Sequence, residues 1–197
     1  MARMMNRRDS IYLIIATFVI AAIPPLTVEA QDGLGEGARL LPSLKDIQHL
    51  VPGWFDEVRS EGMDRGSTYR VFRGWREVKG SPKGEKARVL LNITLRPRPD
   101  PSSPWGPALW RQDFEKKQAL LERIPDLQAK EIDIGAFAYL VTRSGGSHVE
   151  VTFYAEDWMV TVHNGTDEQR LSYPAEDQAL KIARWLASRL PQESPKN

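Results

Sequence analysis

The chain has 197 residues, with 27 Lys and Arg against 26 Asp and Glu, three His and no Cys. Balanced charge argues against bulk nucleic-acid binding, which depends on neutralising phosphates with surplus cations. The lack of cysteine excludes disulfide staples, a thiolate nucleophile, a cysteine-ligated metal and a cysteine-linked lipid anchor, so stability must come from an ordinary core.

Arg3, Arg7 and Arg8 open the chain, Ile11–Ile23 is an uncharged apolar run, Pro24-Pro25 breaks it, and Val28-Glu29-Ala30 offers small residues where a signal peptidase reads. Charge, apolar core and cleavage site follow in the order of an export signal. The core is shorter than the about 20 residues of a spanning helix. The reading is a signal peptide over 1–30, cut near Ala30, with a periplasmic or extracellular product. The alternative is an uncut peptide that anchors the chain, its one route to a membrane; Pro24-Pro25 and Glu29 oppose it. Asn6-Arg7-Arg8-Asp9-Ser10-Ile11 resembles the twin-arginine signal but carries Ser10 where an apolar residue is usual, so both export routes stay open.

Residues 31–41 begin Gln-Asp-Gly-Leu-Gly-Glu-Gly and read as a flexible leader to a single domain over 42–190. A domain of that size buries roughly two thirds of its unfolded surface. Ser43 looks like an N-cap with Asp46 three residues on, and Leu44, Ile47, Leu50 and Val51 form an apolar stripe, which predicts a short helix over about 43–51. Pro52-Gly53 ends it, and Trp54–Val58 reads as either a strand or a loop. Ser67–Val78 is a strand candidate rich in β-branched and aromatic residues. Arg88–Arg98 alternates, with Val89, Leu91, Ile93 and Leu95 on one side, as in a half-buried antiparallel strand. Lys79–Lys86 between them is a polar loop. Arg98–Pro107 holds four prolines and can be neither helix nor central strand. A helix follows over about 107–124, with Trp110, Phe114, Leu121 and Ile124 on one face.

Leu127–Ile134, Ala136–Arg143, His148–Ala155 and Trp158–His163 read as a meander of antiparallel strands with tight turns at Gly145-Gly146 and Glu156-Asp157. A last helix covers about 174–190, with Ala179, Ile182, Ala183, Leu186 and Leu190 inward, and 191–197 is a polar tail. The fold class is therefore α+β: one antiparallel sheet of about five to seven strands packed by helices. The stretch from Ile134 to Arg189, with Gly135-Ala136-Phe137-Ala138-Tyr139 at its turn and first strand, resembles the C-terminal half of small exported bacterial domains of unknown function. The arrangement also resembles the PsbP type of sandwich. That resemblance implies helices on the faces of a sheet, and binding or assembly more than catalysis.

Basic residues lead from Arg59 to Arg98 and acidic residues from Glu150 to Asp177. Either the two halves face each other and offset, or a basic side meets an anionic partner such as envelope polymer or lipid headgroups. If Glu156-Asp157 is a two-residue turn, Glu150 falls opposite His163 and shares a sheet face with His148, a conceivable metal site that a solvated face with Thr152 and Thr161 explains equally well. His49 belongs at an exposed helix end. With Gly145-Gly146 as a second such turn, Val149, Val151, Phe153, Val160, Val162, Ala138 and Leu140 form a core face fit for both helices. Phe137, Tyr139, Val141, Thr152, Tyr154 and Met159 then share the outer face. A face so apolar needs cover from the N-terminal segment, a partner or a ligand. Together with Arg96 and Arg98 beside the Pro-rich loop, those residues make the candidate binding face.

No HExxH, GxSxG, Walker loop or dinucleotide-binding glycine pattern occurs, and no cofactor is implied. Six tryptophans read as packing. The function expected is non-enzymatic binding of an envelope protein or small ligand. An envelope hydrolase using unflagged carboxylates or the His148, Glu150 and His163 group is one alternative; a structural subunit of a larger assembly is another.

Overall fold

The computed structural model describes residues 35–190 apart from 82–83, 99–103, 125, 156 and 169. The expected signal peptide over 1–30, the expected tail over 191–197 and the centre of the Pro-rich loop lie outside the described residues. Seven strands form one antiparallel sheet: β1 (Glu57–Asp64), β2 (Ser67–Glu77), β3 (Lys86–Pro97), β4 (Leu127–Ile132), β5 (Phe137–Arg143), β6 (His148–Ala155) and β7 (Trp158–Thr166), in the order β1-β2-β3-β7-β6-β5-β4. Two meanders thus meet where β3 pairs with β7. The helices are α1 (Gly35–Leu40), α2 (Leu44–Leu50), α3 (Pro107–Leu121) and α4 (Ala175–Ala187).

Turn chemistry sets the register of the second meander. Gly145 and Gly146 both take positive φ, 90° and 70°, the left-handed pair that a tight hairpin turn requires and that glycine adopts without strain. Thr142 pairs with Val149, Glu150 with His163 and Ala155 with Trp158, as the two-residue turns predict. One slip would have moved every side chain to the other face.

The first face of the sheet is the main core. Val89, Leu91, Ile93, Leu95, Leu140, Val151, Phe153, Val160 and Val162 are completely buried there, against Ile47 of α2 and Ala179, Ile182, Ala183 and Leu186 of α4. Asn164, also fully buried, pins the approach to α4: its amide donates to the Ala175 carbonyl at 3.0 Å and its oxygen accepts from the Tyr173 hydroxyl. The Ser43 capping box forms, with the Asp46 amide donating to Ser43 Oγ at 3.2 Å and the Ser43 amide to Asp46 at 2.9 Å. The Ser43 hydroxyl also donates to the Asp46 carboxylate at 2.6 Å, and this bond, then that of the Ser43 amide, hold the carboxyl below its ordinary range.

Four expectations need correcting. Gly35–Leu40, read as part of a flexible leader, is helical and ends on buried Leu41. Arg70 of β2 holds this link, donating to the Leu41 and Pro42 carbonyls at 3.3 and 2.8 Å while paired with Glu61 at 2.7 Å. β1 runs over Glu57–Asp64 rather than near Trp54–Val58. It is a polar edge strand with a register shift between Val58 and Ser60, so it lacks an alternating apolar signature. α3 stops at Leu121, with Ile124 in the turn beyond. The fourth correction bears on function: of the two long helices α4 alone packs on the first face, beside the short α2, whereas α3 crosses the second. The sheet is therefore a middle layer between helices.

The two charge-biased halves do offset in places. Arg88 meets Asp167 at 3.2 Å, Arg98 meets Asp157 at 3.9 Å and Arg170 meets Glu85 at 3.0 Å. The pairing of β3 with β7 brings the first two together. Among the described residues no helix is long and apolar enough to cross a membrane.

Candidate functional site: the second face of the sheet

The second face divides into a covered half and a bare half. α3 covers β4, β5 and β6. Trp110, Phe114 and Leu121 of the helix close over Tyr139, Val141 and Tyr154 in a separate core. The packing is aromatic: Trp110 stacks on Tyr154 at 5.2 Å, Phe114 lies 5.4 Å from Tyr139, and Trp105 stands edge-on to Tyr154 at 5.9 Å. Such pairs contribute about 1 kcal/mol each beyond their area. The candidate binding face of Phe137, Tyr139, Val141, Thr152 and Tyr154 is thereby corrected: Tyr139, Val141, Thr152 and Tyr154 are buried and Phe137 is half-buried, under the chain's own internal helix rather than the N-terminal one. Burial raises the Tyr154 phenol above its ordinary range and Tyr139 to about 12, so both stay neutral.

Polar contacts along its flanks orient α3. Tyr154 donates to Asp113 at 3.0 Å, and Lys117 pairs with Glu150 at 2.9 Å, both on the β6 side. Arg111 takes Glu131 of β4 at 2.6 Å on the other side. Asp113, Lys117 and Leu120 are spaced four and three apart, which places them on one flank of the helix. That flank overlooks the bare half.

The floor of the bare half follows from the register. One row runs Ser60, Val71, Asn92, His163, Glu150 and Val141; the next runs Tyr69, Thr94, Thr161, Thr152 and Tyr139. A third joins Arg73, Leu90, Gly165 and His148. Val71, Tyr69, Leu90, Asn92, Thr94 and Thr161 are half-buried by their neighbours alone, and Arg96 and Trp75 are exposed. The Tyr69 ring lies over Gly62, where a Cβ would come within 2.9 Å of its hydroxyl. The Arg73 guanidinium sits 5.7 Å over the Trp75 ring. Arg96 thus remains on the bare half, while Met159 packs against the α3 core at its border. Arg98 is tied to the β6–β7 turn by its amide bond to the Asp157 carbonyl at 2.7 Å and by its ion pair with Asp157.

The structure brings His148, Glu150 and His163 onto this face, with the imidazoles 6.1 Å apart. Their surroundings suit packing better than metal binding. Glu150 is held by Lys117, and His148 lies on Gly165, where a Cβ would meet its ring at 2.8 Å. Burial, then His163 and Arg143, push His148 down to about 4; burial also lowers His163 against the pull of Glu150. Among the described residues no group of three His, Asp or Glu is disposed to hold a metal ion.

Sequence reasoning missed Lys117, Asp113, Leu120, Asn92 and Leu90 as members of this surface. The helical spacing of the first three was a usable signal; that they overlook bare sheet was not. Among the other tryptophans, Trp54 packs on Tyr173 at 4.8 Å and Trp158 is buried in the main core. Two shallow hollows lie elsewhere. One of about 360 Å³ sits between Gly145–Ser147 and Arg170–Tyr173, and one of about 250 Å³ beside Leu50–Trp54 and Gln178. In the first, Glu168 and Glu85 already neutralise Arg170. No family model, curated protein or solved structure matches this chain.

Proposed function

We propose that this chain is an exported envelope domain that works by contact, and that its working surface is the bare half of the second sheet face. One observation carries the reading. α3 seals three strands of that face with aromatic side chains, yet Tyr69, Val71, Trp75 and Leu90 on the neighbouring strands have no covering element among the described residues. Apolar groups left out of an otherwise well-packed fold mark an interaction surface. Export is supported by the charge, apolar run and small-residue site of 1–30. The committed Lys117–Glu150 pair and the seated histidines favour contact over bond-making.

The test is capture from an envelope extract by the purified protein, with intact mass reporting whether 1–30 has been removed. Trp75→Ser and Arg96→Glu alter exposed positions and leave the core untouched. Loss of the captured species with both variants, and retention with Met63→Ser at an exposed position on the other side of β1, is the expected result. Equal capture by all variants, or an intact leader on the native product, overturns it.

A further inference from the structure

We infer that the occupant of the bare half is a second copy of this chain, each protomer laying its α3 into the other's bare half about a two-fold axis. The inference rests on the reading of that half as the working surface and names what fills it.

The second face is stepped. Contacts of Asp113 with Tyr154 and Lys117 with Glu150 hold α3 along β6, raised above β4–β6, while β3, β2 and β7 beyond Met159, which packs against the α3 core, have no cover among the described residues. Those three strands span about 10 Å, the diameter of a helix. A ridge beside a trough of equal width is self-complementary under two-fold rotation, the symmetry of an isologous dimer. Two sheets facing each other would then enclose two helices side by side, each helix packed between both sheets.

The side chains fit that arrangement. The outward side of α3 carries Ala108 and Ala119, small enough for close approach, with Gln112, Glu115 and Glu122 around them, all exposed. The floor it would meet offers Val71, Leu90 and Thr94. It also offers Arg96, which has no acidic partner among the described residues, and Asn92, whose buried side-chain oxygen has no hydrogen-bond partner. Glu115 or Glu122 can answer Arg96, and the Gln112 amide can answer Asn92. Leu120, at 61 % exposure the most exposed large apolar side chain described, lies on the flank that would face the partner's α3.

The area is adequate. A helix of 15 residues is about 22 Å long and ~10 Å wide. Two such helices, each laid on bare sheet, cover about 900 Å² counting both surfaces. Helix–helix contact brings the total to about 1,200 Å², the lower end of stable interfaces.

Sedimentation equilibrium of the purified protein from about 1 to 200 µM, a range set by that modest area, reads the outcome directly. The expected result is a mass that rises to twice the monomer value. Leu120→Asp, at an exposed position, and Thr94→Arg, on the floor, should each weaken association at least tenfold with an unchanged circular dichroism spectrum. Met63→Asp, on the other side of β1, should leave it unaltered. A monomer throughout the range overturns the proposal, as does a dimer indifferent to Leu120→Asp and Thr94→Arg. A monomer that still loses envelope capture with Trp75→Ser and Arg96→Glu overturns only the second copy, leaving the working surface in place for another partner.

Discussion

The two faces of one sheet are covered in different ways. On the first, interdigitated aliphatic side chains meet α4, whose inward residues are mostly alanine, isoleucine and leucine, and burial is complete along the central strands β3, β5, β6 and β7. On the second, one helix holds half the face through a few large aromatic rings and flanking polar bonds, and the other half stays bare. The first face makes the fold stable, because aliphatic burial is non-directional and tolerates no vacancy. The second leaves strands β2, β3 and most of β7 without a covering element among the described residues.

That contrast can be broken at its strongest point first. Phe153 is fully buried beneath α4, so Phe153→Ala should cost about 3–5 kcal/mol in urea unfolding. Phe114→Ala on the inner side of α3 should cost less, because that helix flanks open sheet into which its neighbours can relax. Equal losses would mean that both faces are packed alike.

Acid should act on the second face. His148 is held down to about 4, below its ordinary 6.5, so the unfolded chain binds the proton more readily. Stability from this group is therefore complete above pH 6.5 and is lost as pH falls from 6.5 towards 4. His163, lowered in the same direction, adds to the loss. His148→Gln should flatten the dependence of the thermal midpoint between pH 7 and 4; an unchanged slope would place the effect elsewhere.

The smallest effect is expected at the helix flank. Lys117 and Glu150 are both partly exposed, so Lys117→Ala should cost no more than about 1 kcal/mol, with the loss shrinking in high salt. A larger loss would show that polar contacts rather than aromatic rings hold α3 to the sheet.

Much of this architecture was legible without coordinates. The hairpin partners from Phe137 to Thr166 follow from two tight turns and alternation of period two, because turn length sets register locally. The buried set of β3 and the inward stripe of α4 follow from the same kind of periodicity. β1 was not legible, since an edge strand that buries little needs no apolar pattern. The residues of the candidate binding face share one side of the sheet as alternation says, but whether the chain itself, a partner or a ligand covers them was left open, because nothing local says which face a helix will choose.

From the sequence alone came the α+β class, the strand pairing of the second meander and the residues that share each face, all consequences of backbone periodicity and short turns. Only the tertiary structure decided that α3 lies opposite α4, that it closes over Phe137, Tyr139 and Tyr154, and that β2, β3 and most of β7 are left bare. An apolar helical stripe fits either side of a sheet equally well. The choice depends on packing between segments far apart in the chain, which no local pattern encodes.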